Sequence, residues 1–117
     1  MKTRALREAQ GRRGEWLAAW FLRLKGWHIL ASRVKTPRGE IDLIARRGRT
    51  VAFVEVKWRE RVADLDHAID DYRLRRVAAA VEAVAHRYAK DGDDIRIDVV
   101  LLAPGRFPRH MANALMP

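Results

Sequence analysis

The chain has 117 residues, of which 49% are hydrophobic and 33% are charged, a balance typical of a folded globular domain rather than a disordered chain. It contains no cysteine, which excludes disulfides, thiolate catalysis and cysteine-ligated zinc. Lysine and arginine outnumber aspartate and glutamate by 24 to 15, a surplus that favours polyanionic partners such as nucleic acid, although an arginine-rich composition alone would also produce it.

Two features predict a cytoplasmic protein without a membrane partner. No segment approaches the run of about 18 apolar residues that a transmembrane helix requires. The first residues, Met1 to Glu8, are basic and lack the apolar core of a signal peptide. The four histidines have no ligand-like spacing and we assign them no role: His28, His67, His86 and His110.

The first third of the chain predicts a helix and a strand. The helix runs from about Ala5 to Lys25, or begins only near Gly11 or Arg12 because Gly11 and Gly14 weaken its first half. It ends before Gly26, a residue type common just past a helix C-terminus. Helical spacing predicts that four large apolar side chains face a sheet: Leu17, Trp20, Phe21 and Leu24. Trp27 to Val34 alternates as a strand, and Lys35 to Gly39 then turns the chain because it contains Pro37.

A β-hairpin is the central predicted feature. Gly39 to Ala45 and Val51 to Lys57 are apolar or alternating, and a glycine-centred turn joins them. Because side chains two residues apart share a strand face, Glu55 and Lys57 point the same way. If the register sets Asp42 opposite Glu55, two carboxylates and one ammonium converge on one spot.

The remainder of the chain predicts a second helix and a buried strand. After an exposed loop over Trp58 to Asp64, the helix begins at Asp70 or Asp71 and ends at Lys90. Its apolar stripe comprises Tyr72, Val77, Val81, Val84 and Tyr88. Ile95 to Leu102 is typical of a sheet interior, interrupted by Asp98, to which we assign a structural role. Residues 103–117 form a basic tail that folds against the sheet or a partner subunit, so one domain over 1–117 has its core at 11–102.

Convergent carboxylates indicate a cation site. Two carboxylates a few ångströms apart repel, and a divalent cation allows both to stay ionised. Mg²⁺ prefers oxygen ligands, takes one or two carboxylates and keeps several waters. Lys57 can orient or deprotonate an attacking water, or stabilise negative charge on a phosphate. Asp42, Glu55 and Lys57 therefore predict a site for phosphodiester cleavage with Mg²⁺ or Mn²⁺.

Four motifs resemble the YraN-like family: Gly14-Glu15-x-x-Ala18, Gly39-Glu40-Ile41-Asp42-Leu43-Ile44, Phe53-Val54-Glu55-Val56-Lys57 and Arg96-Ile97-Asp98-Val99-Val100. The D…ExK spacing of Asp42, Glu55 and Lys57 resembles the core of the PD-(D/E)xK nucleases, and the family is similar in layout to archaeal Holliday-junction resolvases. The element order αβββαβ predicts an α/β fold with a mixed sheet whose third and fourth strands are parallel neighbours. The resemblance implies that this α/β fold has the three-layer form of the restriction endonucleases.

The resemblance also implies a set of site residues. Asp42 and Glu55 would ligate the metal, and the Val56 carbonyl would complete the site. Glu15 is either a first-turn glutamate favoured by the helix dipole or an accessory carboxylate that reaches the metal. Glu40 either binds the metal through water or caps the turn before the hairpin.

Five basic side chains are candidate contacts to a nucleic-acid backbone: Arg33, Lys35, Arg38, Arg59 and Arg73. For Arg33, Lys35 and Arg38, which precede the hairpin, the alternative is that they are solvated loop charges. Arg73 lies where the family often has lysine or glutamine. We expect a metal-dependent endonuclease acting on DNA. Branched DNA as substrate and a homodimer are implied by the resolvase resemblance only. An RNA substrate stays open, as does a non-catalytic nucleic-acid-binding or adaptor protein on the same fold.

Overall fold

The computed structural model of the chain describes residues 4–59 and 71–114. Its helices are α1 (Arg4–Leu24) and α2 (Asp71–Tyr88), and its strands are β1 (His28–Thr36), β2 (Gly39–Arg47), β3 (Thr50–Trp58), β4 (Asp94–Leu102) and β5 (Arg109–Met111). The predicted order αβββαβ is confirmed, and β5 follows it as an additional short strand. The exposed loop predicted before α2 lies, from residue 60 onward, outside the described residues, as does Asp70.

The strands form one mixed sheet in the order β1-β2-β3-β4-β5. β1, β2 and β3 are antiparallel neighbours, β4 lies parallel to β3, and β5 pairs antiparallel with β4. The parallel third and fourth strands are therefore confirmed, and part of the predicted basic tail folds against the sheet. Gly48 and Arg49 connect β2 to β3, and Gly48 has a φ of 61°, a left-handed conformation that glycine adopts without strain.

Apolar clusters cover both faces of the sheet, because successive strand residues point to opposite sides. One face packs against α1 through a cluster that includes Ala18, Leu22, Leu43, Ala45, Val54 and Val100. The other packs against α2 through Ile44, Phe53, Val77, Ala80, Val81 and Val84. The result is a helix–sheet–helix sandwich, which agrees with the predicted three-layer α/β fold.

The predicted sheet-facing stripe of α1 is wrong for two of its members. Trp20 is 48% exposed and Leu24 is 84% exposed, whereas Leu17 and Phe21 are partly buried at the cluster edge. The fully packed positions are Ala18, Ala19 and Leu22. Small side chains let the helix backbone approach the sheet closely, so the larger residues lie on the flanks and the outer surface.

The predicted stripe of α2 needs a smaller correction. Val77, Val81 and Val84 are buried as expected, and Tyr88 packs against the same cluster. Tyr72 is 68% exposed, and Leu74 is buried instead in a cluster with β4. Because Tyr72 lies in the first turn of α2, its side chain reaches past the sheet edge rather than over it.

Asp98 has the structural role that was predicted. Its carboxylate is fully buried and accepts hydrogen bonds from the side chains of Arg96 and His110 and from the backbone N–H of Asn113, at 2.8, 2.8 and 2.9 Å. Burial alone would raise the pKa of Asp98, but these three donors outweigh it and lower the pKa below its ordinary value. Asp98 thereby fastens β5 and the turn after it to β4.

Asp98→Ala is expected to destabilise the fold by about 3–5 kcal/mol, because it leaves the half-buried guanidinium of Arg96 and the buried imidazole of His110 without their acceptor. Urea unfolding at neutral pH would measure the change. Asp94→Ala, an exposed position at the start of the same strand, is the matched control and should stay within about 0.5 kcal/mol of wild type. A loss below about 1 kcal/mol in Asp98→Ala would contradict this role.

Within residues 4–59 and 71–114, neither helix combines the length and the apolar character that a membrane crossing requires.

Candidate active site

A pocket of about 420 Å³ opens where β2 begins and β3 ends, between the N-terminal halves of α1 and α2. Its carboxylates are Glu15, Glu40, Asp42 and Glu55. Its cationic side chains are Lys57, Arg73 and Arg76. Residues of the hairpin and of both helices are thus needed to assemble one strongly charged concave surface.

Asp42 lies at the point where the β2–β3 ladder ends. Leu43 and Val54 are the last pair of this ladder, so Asp42 and Glu55 are the next residues along the two strands but do not form a ladder pair. Oδ2 of Asp42 accepts a hydrogen bond from the backbone N–H of Val56 at 2.8 Å. Burial raises the pKa of Asp42 to about 6, assisted by the carboxylates of Glu15 and Glu55 and opposed by the Val56 N–H. The ionised form of Asp42 is therefore energetically unfavourable in the folded protein.

Glu55 and Lys57 form an ion pair on the α2 face of β3. Nζ of Lys57 lies 2.7 Å from Oε1 of Glu55, and both side chains are almost fully buried. Nη2 of Arg73, from the first turn of α2, lies 3.6 Å from the same oxygen. Burial lowers the pKa of Lys57, while its hydrogen bond to Glu55 acts in the opposite direction. The predicted convergence of two carboxylates and one ammonium is present.

Glu15 lies in the pocket wall, and its first-turn interpretation is wrong. α1 begins at Arg4, so Glu15 lies in mid-helix, far from the positive end of the helix dipole. Nε of Arg33 donates to Oε1 of Glu15 at 2.6 Å, and this hydrogen bond raises the pKa of Arg33. Arg33 has a φ of 51°, an uncommon conformation for a residue with a side chain. Backbone strain of this kind is concentrated at functional sites.

Glu40 lies in the pocket lining and is exposed. The hydroxyl of Thr36 accepts hydrogen bonds from the N–H groups of Arg38 and Gly39 at 3.1 Å and so stabilises the preceding turn, and both roles of Glu40 stay predictions. The turn is also shorter than predicted, since β1 continues to Thr36.

The other predicted phosphate contacts lie outside the pocket lining. Lys35 is exposed on β1, opposite Glu40. Arg38 is exposed and its nearest acidic partner, Glu82, is 3.8 Å away. Arg59 donates its Nη1 to the carbonyl of Trp58 at 2.9 Å, beside the end of β4. Among the five candidates, Arg73 alone is part of the pocket lining, where it lies 3.6 Å from Glu55.

Sequence reasoning missed Arg76 and Trp58 as parts of the pocket wall. Arg76 follows Arg73 by three residues, and side chains at that spacing share a helix face. Once Arg73 is placed at the site, Arg76 could have been found by the same spacing. Trp58 follows Lys57 directly and packs near Gly14 of α1, a long-range contact that no local pattern indicates.

The oxygen donors of the pocket fit a hard divalent cation. Asp42 and Glu55 supply carboxylate oxygens and Val56 a carbonyl, and Mg²⁺ needs only one or two carboxylates because it keeps several waters. In the part of the chain that the structure describes, no three His, Cys, Asp or Glu side chains form a group that could hold a metal ion. Burial raises the pKa of Asp42, and a cation bound there would offset the unfavourable burial of its charge.

Comparison with known proteins identifies relatives along almost the whole chain. A model of the uncharacterised protein family UPF0102 matches residues 14–102, a range that contains the four motifs from which the YraN-like family was predicted. A UPF0102 protein of Erythrobacter litoralis is 70% identical over 114 residues, covering 97% of this chain and 98% of that protein. A UPF0102 protein of Sphingopyxis alaskensis is 65% identical over 115 residues, covering 98% and 99%.

Proposed function

We propose that this chain, which belongs to the uncharacterised protein family UPF0102, is a Mg²⁺- or Mn²⁺-dependent endonuclease that hydrolyses phosphodiester bonds in DNA. The observation that carries the proposal is that Asp42, Glu55 and Lys57 line one open pocket at the end of the β2–β3 hairpin, with Glu55 and Lys57 2.7 Å apart. A buried carboxylate whose pKa is raised to about 6 adds little to stability, so a chemical role gives a reason for its position.

Each residue has a separate task in this mechanism. Asp42 and Glu55, with the Val56 carbonyl, would hold the metal, which when bound polarises the phosphate and lowers the pKa of a bound water. Lys57 Nζ, already 2.7 Å from Glu55, is placed to orient the attacking water or to donate to the phosphate oxygen on which charge develops. The Val56 N–H fixes the orientation of the Asp42 carboxylate before substrate arrives.

The guanidinium groups of the pocket fit a phosphate backbone. Arg73 and Arg76 line the wall formed by α2, and arginine forks match the geometry of phosphate oxygens. Arg33 lies behind Glu15 and is in position to hold that carboxylate toward the pocket. The chain has 24 lysine and arginine residues against 15 aspartate and glutamate residues, and this surplus of positive charge would attract DNA.

Structure-selective cleavage suits this pocket better than cleavage at a fixed sequence. The cations of the pocket lining are Lys57, Arg73 and Arg76, and contacts of such side chains to the phosphate backbone carry no sequence information. Branched DNA is therefore the preferred substrate class in this proposal, with a homodimer as the arrangement that would cut two strands symmetrically.

The test is cleavage of a panel comprising linear, flapped, four-way-junction and single-stranded DNA together with RNA, each with Mg²⁺, with Mn²⁺ and with a chelator. We expect metal-dependent cutting of at least one DNA that disappears in Glu55→Gln. Glu82→Gln, an exposed carboxylate on α2, is the matched control and should cut like wild type. Cleavage of RNA alone would overturn the DNA assignment, and cleavage unaffected by Glu55→Gln would overturn the site.

One observation favours a second candidate, a nucleic-acid-binding or adaptor protein without catalysis. Glu55 is already neutralised by Lys57 and, at longer range, by Arg73, so the charge of this carboxylate does not require a bound cation. If wild type binds the panel but cuts none of it with either metal, this candidate replaces the nuclease.

A further inference from the structure

The outer surface of α1 exposes two tryptophans one helical turn apart. Trp16 is 59% exposed and Trp20 is 48% exposed, although indole rings are among the side chains that gain most from burial. Their ring centroids lie 6.4 Å apart with an interplanar angle of 67°. The two rings thus form one stepped aromatic surface on the side of the helix turned away from the sheet.

Guanidinium groups surround this aromatic surface. Arg12, Arg13 and Arg23 are exposed on the same helix, and the guanidinium of Arg23 lies 5.1 Å from the Trp20 ring centroid. From residue 11 to the end of α1, the described exposed side chains include no acidic residue. Aromatic faces interleaved with backbone-binding cations are the pattern by which proteins bind unpaired nucleotides.

We infer that this surface of α1 binds single-stranded nucleic acid, with bases stacked on Trp16 and Trp20 and phosphates paired with the neighbouring arginines. A second copy of the chain fits less well, because the same cationic side chains would face each other across a dyad. Another face of the same helix lines the pocket, through Gly11, Gly14 and Glu15.

This inference deepens the proposed function and rests on it for its biological meaning: an unpaired strand held on α1 would lead to or from the cleavage pocket. Such a surface would favour substrates with single-stranded arms or junction strands over uniform duplex. Binding itself needs neither metal nor cleavage, so it can be measured separately.

The experiment measures the affinity of a labelled 20-nucleotide oligothymidine and of a duplex of equal length, by fluorescence anisotropy in chelator. Trp16→Ala combined with Trp20→Ala should weaken single-strand binding by roughly 100-fold, about tenfold for each ring, with the salt dependence of binding unchanged. Trp16→Phe with Trp20→Phe keeps the stacking faces and should stay within about threefold of wild type. Arg13→Ala with Arg23→Ala should instead flatten the salt dependence.

Unchanged single-strand affinity in the double alanine variant would overturn the inference, whether or not the protein cleaves DNA. If that variant instead loses binding to phosphatidylglycerol vesicles or loses self-association in sedimentation, the surface serves a membrane or a second copy and the inference fails. Intact tryptophan-dependent binding without cleavage of any substrate would refute the nuclease and leave this surface established.

Discussion

Lys57→Met is expected to slow metal-dependent cleavage by about 100- to 10,000-fold, the range for removing one positioned proton donor or one electrostatic stabiliser. The buried ammonium of Lys57 lies 2.7 Å from Glu55. Methionine preserves most of the shape of the lysine side chain without its charge. Single-turnover rates on the preferred DNA, at saturating protein, would separate this loss from weaker binding. Lys90→Met, an exposed lysine just past α2, is the matched control.

Loss of folding must be distinguished from loss of chemistry in this variant. Removing one partner of a buried ion pair leaves the other uncompensated, so Lys57→Met should lower stability by about 1–3 kcal/mol, moderated by Arg73 near Glu55. Glu55→Gln combined with Lys57→Met removes both charges and should recover much of that stability while remaining inactive. Cleavage within fivefold of wild type in Lys57→Met would contradict a role for this lysine in the reaction.

Strand patterns and a short connection predicted the hairpin correctly. Alternation fixes which residues of β2 and β3 share a face, and the two-residue connection at Gly48 fixes the register. Asp42 and Glu55 follow the last pair of that ladder, so the placement of both carboxylates at one end of the hairpin was predictable from sequence.

The face of α1 that packs on the sheet could not be predicted from the sequence in the same way. Apolar residues occur around most of this helix, so spacing allows either the large residues or the alanines to face the sheet. Close approach over Ala18 and Ala19 decides the outcome, and that depends on the shape of the sheet beneath. The same rotation places Trp16 and Trp20 outward and Glu15 in the pocket wall.

Hydrogen bonds between residues far apart in sequence were the other feature that local patterns could not predict. The bond between Arg33 and Glu15 joins residues 18 positions apart, and it depends on the left-handed conformation of Arg33 beyond a bulge in β1. His110 was assigned no role because it stands alone in sequence, yet its Nε2 donates a hydrogen bond to Asp98 in the network that holds β5. Such contacts exist only after the sheet has formed.

Asp42→Asn is expected to abolish cleavage while changing stability in a pH-dependent way. Asparagine can still accept the hydrogen bond from the Val56 N–H, but it cannot ionise or bind a cation strongly. Because the folded pKa of Asp42, about 6, lies above its unfolded value, protonation of this carboxylate favours the folded state. That contribution is complete below about pH 4 and disappears as the pH rises through about 6.

The variant should therefore gain stability relative to wild type by about 1–3 kcal/mol between pH 4 and pH 8, because it avoids the buried negative charge. Urea unfolding at both pH values would measure the difference, with Asp94→Asn as an exposed control. Millimolar Mn²⁺ at pH 8 should stabilise wild type and leave Asp42→Asn unaffected, because the cation replaces the proton as the partner of this carboxylate. A stability difference that is the same at pH 4 and pH 8 would show that Asp42 bears no unfavourable charge, and the case for a cation at the hairpin would lose its electrostatic basis.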